Sequence, residues 1–216
     1  MSIKSYALTT VQRFKDFKGL SGLTATQDTV IERLVNTCTE YIENYCQRRF
    51  KKTTYTQEKY DGDGSRELYL KQYPVISGET FTLQERTSTT NTDDWGTIDS
   101  EDYYVDNDTG IIEWIGRTRK FRNTAQAYRV TYTSGFDFDN AATFLTDTEA
   151  GDVEYAMWKI LAAAWDKRKG DVGVISESLG DYSVTYSTAV FESPEIKEVL
   201  DKYARVSAGG NRSVWG

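Results

Sequence analysis

Gln27-Asp-Thr-Val-Ile-Glu-Arg-Leu-Val-Asn-Thr-Cys-Thr-Glu-Tyr-Ile-Glu-Asn-Tyr-Cys-Gln-Arg48 is followed almost at once by Thr54-Tyr-Thr-Gln-Glu-Lys-Tyr60, and the periodicity of the chain changes between them. In the first stretch Val30, Ile31, Leu34, Val35, Cys38, Tyr41, Ile42 and Tyr45 form one helical stripe. Thr26 is the expected N-cap. Asp28 and Glu32 near the start, and Arg48, Arg49, Lys51 and Lys52 at the end, suit the helix dipole. From Thr54 the pattern alternates, as a half-buried strand does. A strand over Thr54–Tyr60 and another over Arg66–Leu70 are expected to be joined by the turn Asp61-Gly-Asp-Gly-Ser65.

Working outward, Tyr103–Val105 and Ile111–Trp114 read as a hairpin about Asp106-Asn-Asp-Thr-Gly110. Ala127–Thr133 alternates again, and Thr80–Glu85 is a weaker strand. Roughly five or six strands between 53 and 133 predict a small antiparallel sheet or barrel. The helical period returns at Thr146-Asp-Thr-Glu149, a capping-box sequence. Val153, Ala156, Met157, Ile160, Leu161 and Ala164 then form a core stripe. A second strip, Tyr155, Trp158, Ala162 and Trp165, makes this helix apolar on two sides and marks a candidate subunit interface. Ser193-Pro194 opens a last amphipathic helix through Ile196, Val199, Leu200 and Tyr203. A short helix over 10–18 precedes them all.

The expected fold is therefore α+β: three main helices and a short N-terminal one form a helical core, into which the β segment is inserted. The domains are 1–52, 53–133, 134–205 and a flexible tail, 206–216. Between the last two helices, Tyr182, Val184 and Tyr186 alternate with Ser183, Thr185 and Ser187, a lone strand whose partner lies in its own sheet or in a neighbouring subunit.

Composition narrows the function. The chain has no histidine among its 216 residues, which removes the commonest general base, Ser-His and Cys-His pairs and most zinc sites. The net charge of −7 disfavours tight phosphate binding, and suits either plain solubility or a protein that DNA slides past. The longest apolar run, Ile160–Trp165, is too short to cross a bilayer, and residues 1–15 carry no signal-type apolar stretch, so a cytosolic product is expected. Cys38 and Cys46 lie about 12 Å apart along one helix. That is beyond the roughly 7 Å of a disulfide, so both are expected as free core thiols.

Asp61–Ser65 and Asp106–Gly110 resemble calcium loops superficially. The EF-hand pattern fails because Arg66 and Gln72 stand at positions six and twelve from Asp61, and Ile111 at position six from Asp106. No metal and no cofactor are expected. The pairs Asp93/Asp94 and Asp137/Asp139 lack any supporting catalytic constellation, and the basic run Arg117–Arg122 reads as a solvated hairpin end.

Several stretches, in order, resemble the head-tail connector (adaptor) proteins of tailed bacteriophages. They are Tyr41-Ile-Glu-Asn-Tyr-Cys-Gln-Arg-Arg-Phe50, Tyr60-Asp-Gly-Asp-Gly64, Leu68-Tyr-Leu70, Tyr73-Pro-Val-Ile76, Val130-Thr-Tyr-Thr-Ser-Gly-Phe136, Trp165 with Arg168 and Gly170, Ser176-Glu-Ser-Leu-Gly-Asp-Tyr-Ser-Val-Thr-Tyr186 and Leu200–Arg205. One departure is the long acidic, Thr-rich approach Asp137–Thr146. The resemblance implies a non-enzymatic ring, commonly dodecameric, below the portal protein, which receives the next neck or tail-completion protein and lets DNA through. It implies assembly in the host cytoplasm and residence in the virion neck, of a phage, prophage or gene transfer agent, with no membrane contact. Tyr155, Trp158, Trp165, Tyr182, Val184 and Tyr186 are then the expected subunit-interface residues, and Tyr203, Arg205, Arg212 and Trp215 the expected portal-binding ones. The alternative from the residues alone is a monomeric binding module that displays Tyr69, Trp95 and Trp114 to a carbohydrate or peptide.

Overall fold

The computed structural model describes residues 2–88, 93–116, 118–138, 148–170 and 193–204. The chain divides at Phe50/Lys51 and Asp137/Phe138 into a helical unit and a β unit. The architecture is α+β, as the two changes of period require.

The helical unit holds α1 (Val11–Lys18), α2 (Ala25–Cys46), α3 (Thr148–Gly170) and α4 (Pro194–Tyr203). α2 starts earlier than expected. Its N-cap is Thr24, whose hydroxyl accepts from Gln27 N at 3.3 Å while the Gln27 side chain accepts from Thr24 N at 2.9 Å. Thr26 loses because its own third residue, Thr29, cannot reach back in this way. The basic residues after α2 also differ from expectation. Gln47 takes a left-handed conformation (φ 54°), which turns the chain back, buries Arg48 and sets its guanidinium 5.1 Å from the centre of the Phe50 ring. Ile31, Val35, Cys38 and Ile42 of α2 meet Val153, Met157, Ile160 and Leu161 of α3, with Ile196 and Leu200 of α4, in the core. Cys38 and Cys46 are buried free thiols. The segment before α1 is fixed to α2: Lys4 N donates to Asn36 Oδ1 (2.9 Å) and Leu8 N to Thr39 Oγ1 (3.3 Å).

The β unit contains β1 (Thr53–Gly62), β2 (Glu67–Tyr69), β3 (Thr82–Arg86), β4 (Trp95–Thr97), β5 (Tyr103–Asp106), β6 (Ile111–Trp114) and β7 (Thr124–Ser134). They form two antiparallel sheets, ordered β1-β7-β3-β4 and β2-β6-β5, around one shared core of Tyr60, Leu68, Leu83, Ile112, Trp114, Phe121, Tyr128, Val130 and Tyr132. The hairpin expected between β1 and β2 does not form. β1 spends its hydrogen bonds on β7, from Thr53↔Ser134 to Gly62↔Thr124, and β2 pairs with β6 instead. Residues 61–65 are a corner between sheets. A side chain at Gly62 would collide with the Arg122 carbonyl, its Cβ only 1.9 Å from the oxygen. Beyond it the Asp63 carboxylate accepts from Ser65 N at 2.8 Å and redirects the chain. β4 had no visible signal, since Trp95-Gly-Thr97 is too short to show a period. The ends of the unit lie side by side, with Lys52 N donating to Phe136 O at 2.8 Å.

Candidate functional site

α3 carries a partly exposed aromatic surface. Its first apolar strip faces the core, as expected, and its second strip divides. Trp165 is 2% exposed, so its indole serves the interior of the helical unit and offers no area to a neighbour. Trp158 is half-buried and Tyr155 is 43% exposed. α1 completes the surface. Phe17 stacks on Trp158 (centroids 5.1 Å, 26°) and meets Tyr155 edge-on (6.1 Å, 90°). The sequence hid this role, because Phe17 reads as one more apolar position at spacing three on a core-facing helix.

A buried polar chain fixes the geometry of these rings. Trp158 Nε1 donates to Thr9 Oγ1 at 2.9 Å, and the Thr9 hydroxyl donates to Glu154 Oε1. Arg13 lies 3.5 Å from the same carboxylate oxygen and also donates to Phe138 O at 2.8 Å. Glu154 is fully buried, and burial pushes its carboxyl above the ordinary range, with the Thr9 hydrogen bond and Arg13 opposing that shift. It shares the inward face with Met157 and Leu161, three and seven residues on. A carboxylate in that stripe was the available clue to the network.

Beside the rings runs an open groove of about 550 Å³ lined by Phe17, Lys18, Lys159, Ala162, Glu195 and Ile196. Ion pairs rim it: Lys159 Nζ reaches Glu195 at 2.8 Å and sits 5.1 Å from the Tyr155 ring centre, and Lys18 Nζ reaches Asp166 at 2.6 Å. An aromatic centre with a charged rim is the composition of a protein–protein contact. Among the described residues no group of three His, Cys, Asp or Glu side chains could hold a metal ion, and no helix is long and apolar enough to cross a membrane.

The other expected positions fall as follows. Tyr203 is a core residue, its buried ring edge-on to Phe50 at 5.8 Å, so it has no face left for a partner. The α4 stripe puts Ile196, Leu200 and Tyr203 on the same inward side, which explains the burial. Tyr182, Val184, Tyr186, Arg205, Arg212 and Trp215 lie outside the described residues, as does the expected capping residue Thr146. The carbohydrate- or peptide-binding alternative loses its central ring: Trp114 is 1% exposed, packed at 5.0 Å from Phe121. Trp95 is covered by Arg129 and Arg86, whose guanidinium carbons lie 4.6 and 5.4 Å from its centre.

Fold and surface together define a two-unit α+β protein with a partly exposed aromatic cluster on its helical unit. A family model described as head completion protein matches residues 7–206, and the chain belongs to that family. The same fold occurs in a chain of the neck of an empty gene transfer agent particle computed with C6 symmetry, with a TM-score of 0.59, 12% identity and 98% of each chain covered. A chain from the virion of the native particle gives a TM-score of 0.53 at 14% identity, covering 97% of this chain and 96% of that one. One from the native neck computed with C12 symmetry gives 0.52 at 14%, covering 98% and 96%. No curated protein matches the chain.

Proposed function

We propose that this chain is a structural subunit of the neck of a tailed phage or gene transfer agent, and that it assembles into a ring, a dodecamer in the particle, below the portal. The observation that carries this reading is the family match over residues 7–206, with an end-to-end fold likeness to chains of symmetric neck particles. The half-exposed cluster Phe17, Tyr155 and Trp158 supplies a contact surface for the neighbouring subunit. The segment Tyr182–Tyr186 adds a strand to an edge, of its own sheet or of the next subunit, because main-chain bonds give affinity with little demand on sequence. The last residues, with Arg205, Arg212 and Trp215, anchor the ring on the portal protein, a terminal tryptophan being a strong interface anchor. The far side of the ring receives the next neck or tail-completion protein. The ring extends the channel for DNA without reading its sequence. Assembly takes place in the host cytoplasm, and the role involves no catalysis.

Light scattering of the purified chain, alone and mixed with portal, tests the reading. A ring or a portal-bound ring supports it. A concentration-independent monomer without portal affinity overturns it. Removing residues 206–216 should weaken portal binding while leaving the subunit folded, and undiminished binding would dismiss the tail as an anchor.

A further inference from the structure

The two sheets of the β unit turn outer faces of opposite charge away from their shared core. In the four-stranded sheet the inward rows are Tyr60–Tyr128–Glu85 and Glu58–Val130–Leu83. The alternate row, Lys59–Arg129–Gln84–Thr97, crosses all four strands on the outside, and Arg86 faces Trp95 in the next. The arginines are held by neutral groups. Arg129 Nε donates to Gln84 Oε1 (2.6 Å) and its Nη1 to Gln57 Oε1 (3.0 Å), and Arg86 donates to Gln126 O (2.6 Å). Among the described residues, no ion pair engages Lys59, Arg86 or Arg129. Three cations are thus left without a carboxylate in a chain whose net charge is −7.

The three-stranded sheet is the counterpart. Leu68, Ile112 and Val105 point inward, so the outer rows are Glu67–Glu113–Tyr104 and Tyr69–Ile111–Asp106. Tyr104 is 62% exposed and Tyr69 39%. Arg66 lies 3.3 Å from Glu113, the Tyr69 hydroxyl donates to Glu67, and Asp106 accepts from Asp108 N (3.1 Å) and Thr109 N (3.3 Å).

We propose that the basic face of one β unit, its arginines stacked over Trp95, packs against the acidic, tyrosine-bearing face of the β unit in a second copy of this chain. The reading rests on the ring proposed above and specifies its junction. Arginine forks match carboxylates, and Trp, Tyr and Arg are the side chains that dominate interface energetics. Both faces look away from one core, so they cannot meet within a subunit. A contact between unlike faces repeats head to tail, and closes into a ring where the rotation allows.

Sedimentation of the full chain, from micromolar to millimolar concentration at low and high salt, tests this with Lys59→Glu/Arg86→Glu and Glu67→Lys/Glu113→Lys. Each variant should fold, by circular dichroism, and associate at least tenfold more weakly than the parent. Parental association should fall as salt rises. An equimolar mixture of the two variants should associate again, because each supplies the sign the other lacks. Should one pair fail to fold, Arg86→Gln and Glu113→Gln each give a smaller loss in the same direction. Parental association that ignores both reversals overturns the face pairing and leaves the ring standing. A parent that stays monomeric throughout, and on portal, overturns both.

Discussion

Replacing Arg13 by methionine keeps the packing of its stem and removes the cation beside buried Glu154. At 3.5 Å, an effective dielectric near 20 gives an attraction of about 5 kcal/mol. The net loss is smaller, because the carboxyl escapes by taking a proton. From its ordinary value of 4.5, neutralisation at pH 7 costs at most about 3.4 kcal/mol. Burial raises the folded pKa of Glu154, so the folded state binds the proton more tightly than the unfolded chain does. Stability linked to Glu154 is therefore fully present below about pH 4.5 and is lost as pH rises through the folded value. Arg13→Met should raise that value further and extend the loss to higher pH. Urea denaturation at pH 5 and pH 7.5 should show a larger penalty at the higher pH, bounded at about 3.4 kcal/mol near neutrality. In a Glu154→Gln background most of the pH-dependent part should vanish, while the bond from Arg13 to Phe138 O cancels in the cycle. An equal loss in both backgrounds and at both pH values would refute the electrostatic account.

Gly62→Ala should destabilise the β unit by more than about 2 kcal/mol, since the new methyl meets backbone, and thermal melting followed at strand wavelengths would register it. Tyr155→Ala should change subunit stability by less than about 0.5 kcal/mol, because the ring is exposed, yet weaken ring assembly measured by light scattering. Cys46, whose thiol burial pushes up to about 12, and buried Cys38 should resist alkylation at pH 8 in the folded chain, and both should react in denaturing urea; labelling read by mass spectrometry decides.

Long, periodic stretches made the helices legible. The alternation of Ala127–Thr133 likewise identified β7, the strand that two others pair with. Pairing was another matter. Asp61-Gly-Asp-Gly-Ser65 has the composition of a hairpin turn, but local sequence says how the chain bends and not which strand already occupies the edge. The aromatic strip of α3 was visible as a strip. How it divides between Trp165 inside and Tyr155 outside depends on where α1 lies, and an eight-residue helix carries too little periodicity to say. Glu154 stood in plain view at a core position, but its partners Thr9 and Arg13 lie more than a hundred residues away along the chain.

The adjacency of Lys52 and Phe136 has a consequence for descent. A segment that leaves and re-enters at neighbouring points asks nothing of the chain on either side except that the gap stay narrow. Lineages can therefore enlarge, trim or replace everything between these two residues in single genetic events, without disturbing how the helices find one another. Neck proteins of one ancestry can therefore differ most in this stretch while keeping the same helices on either side of it.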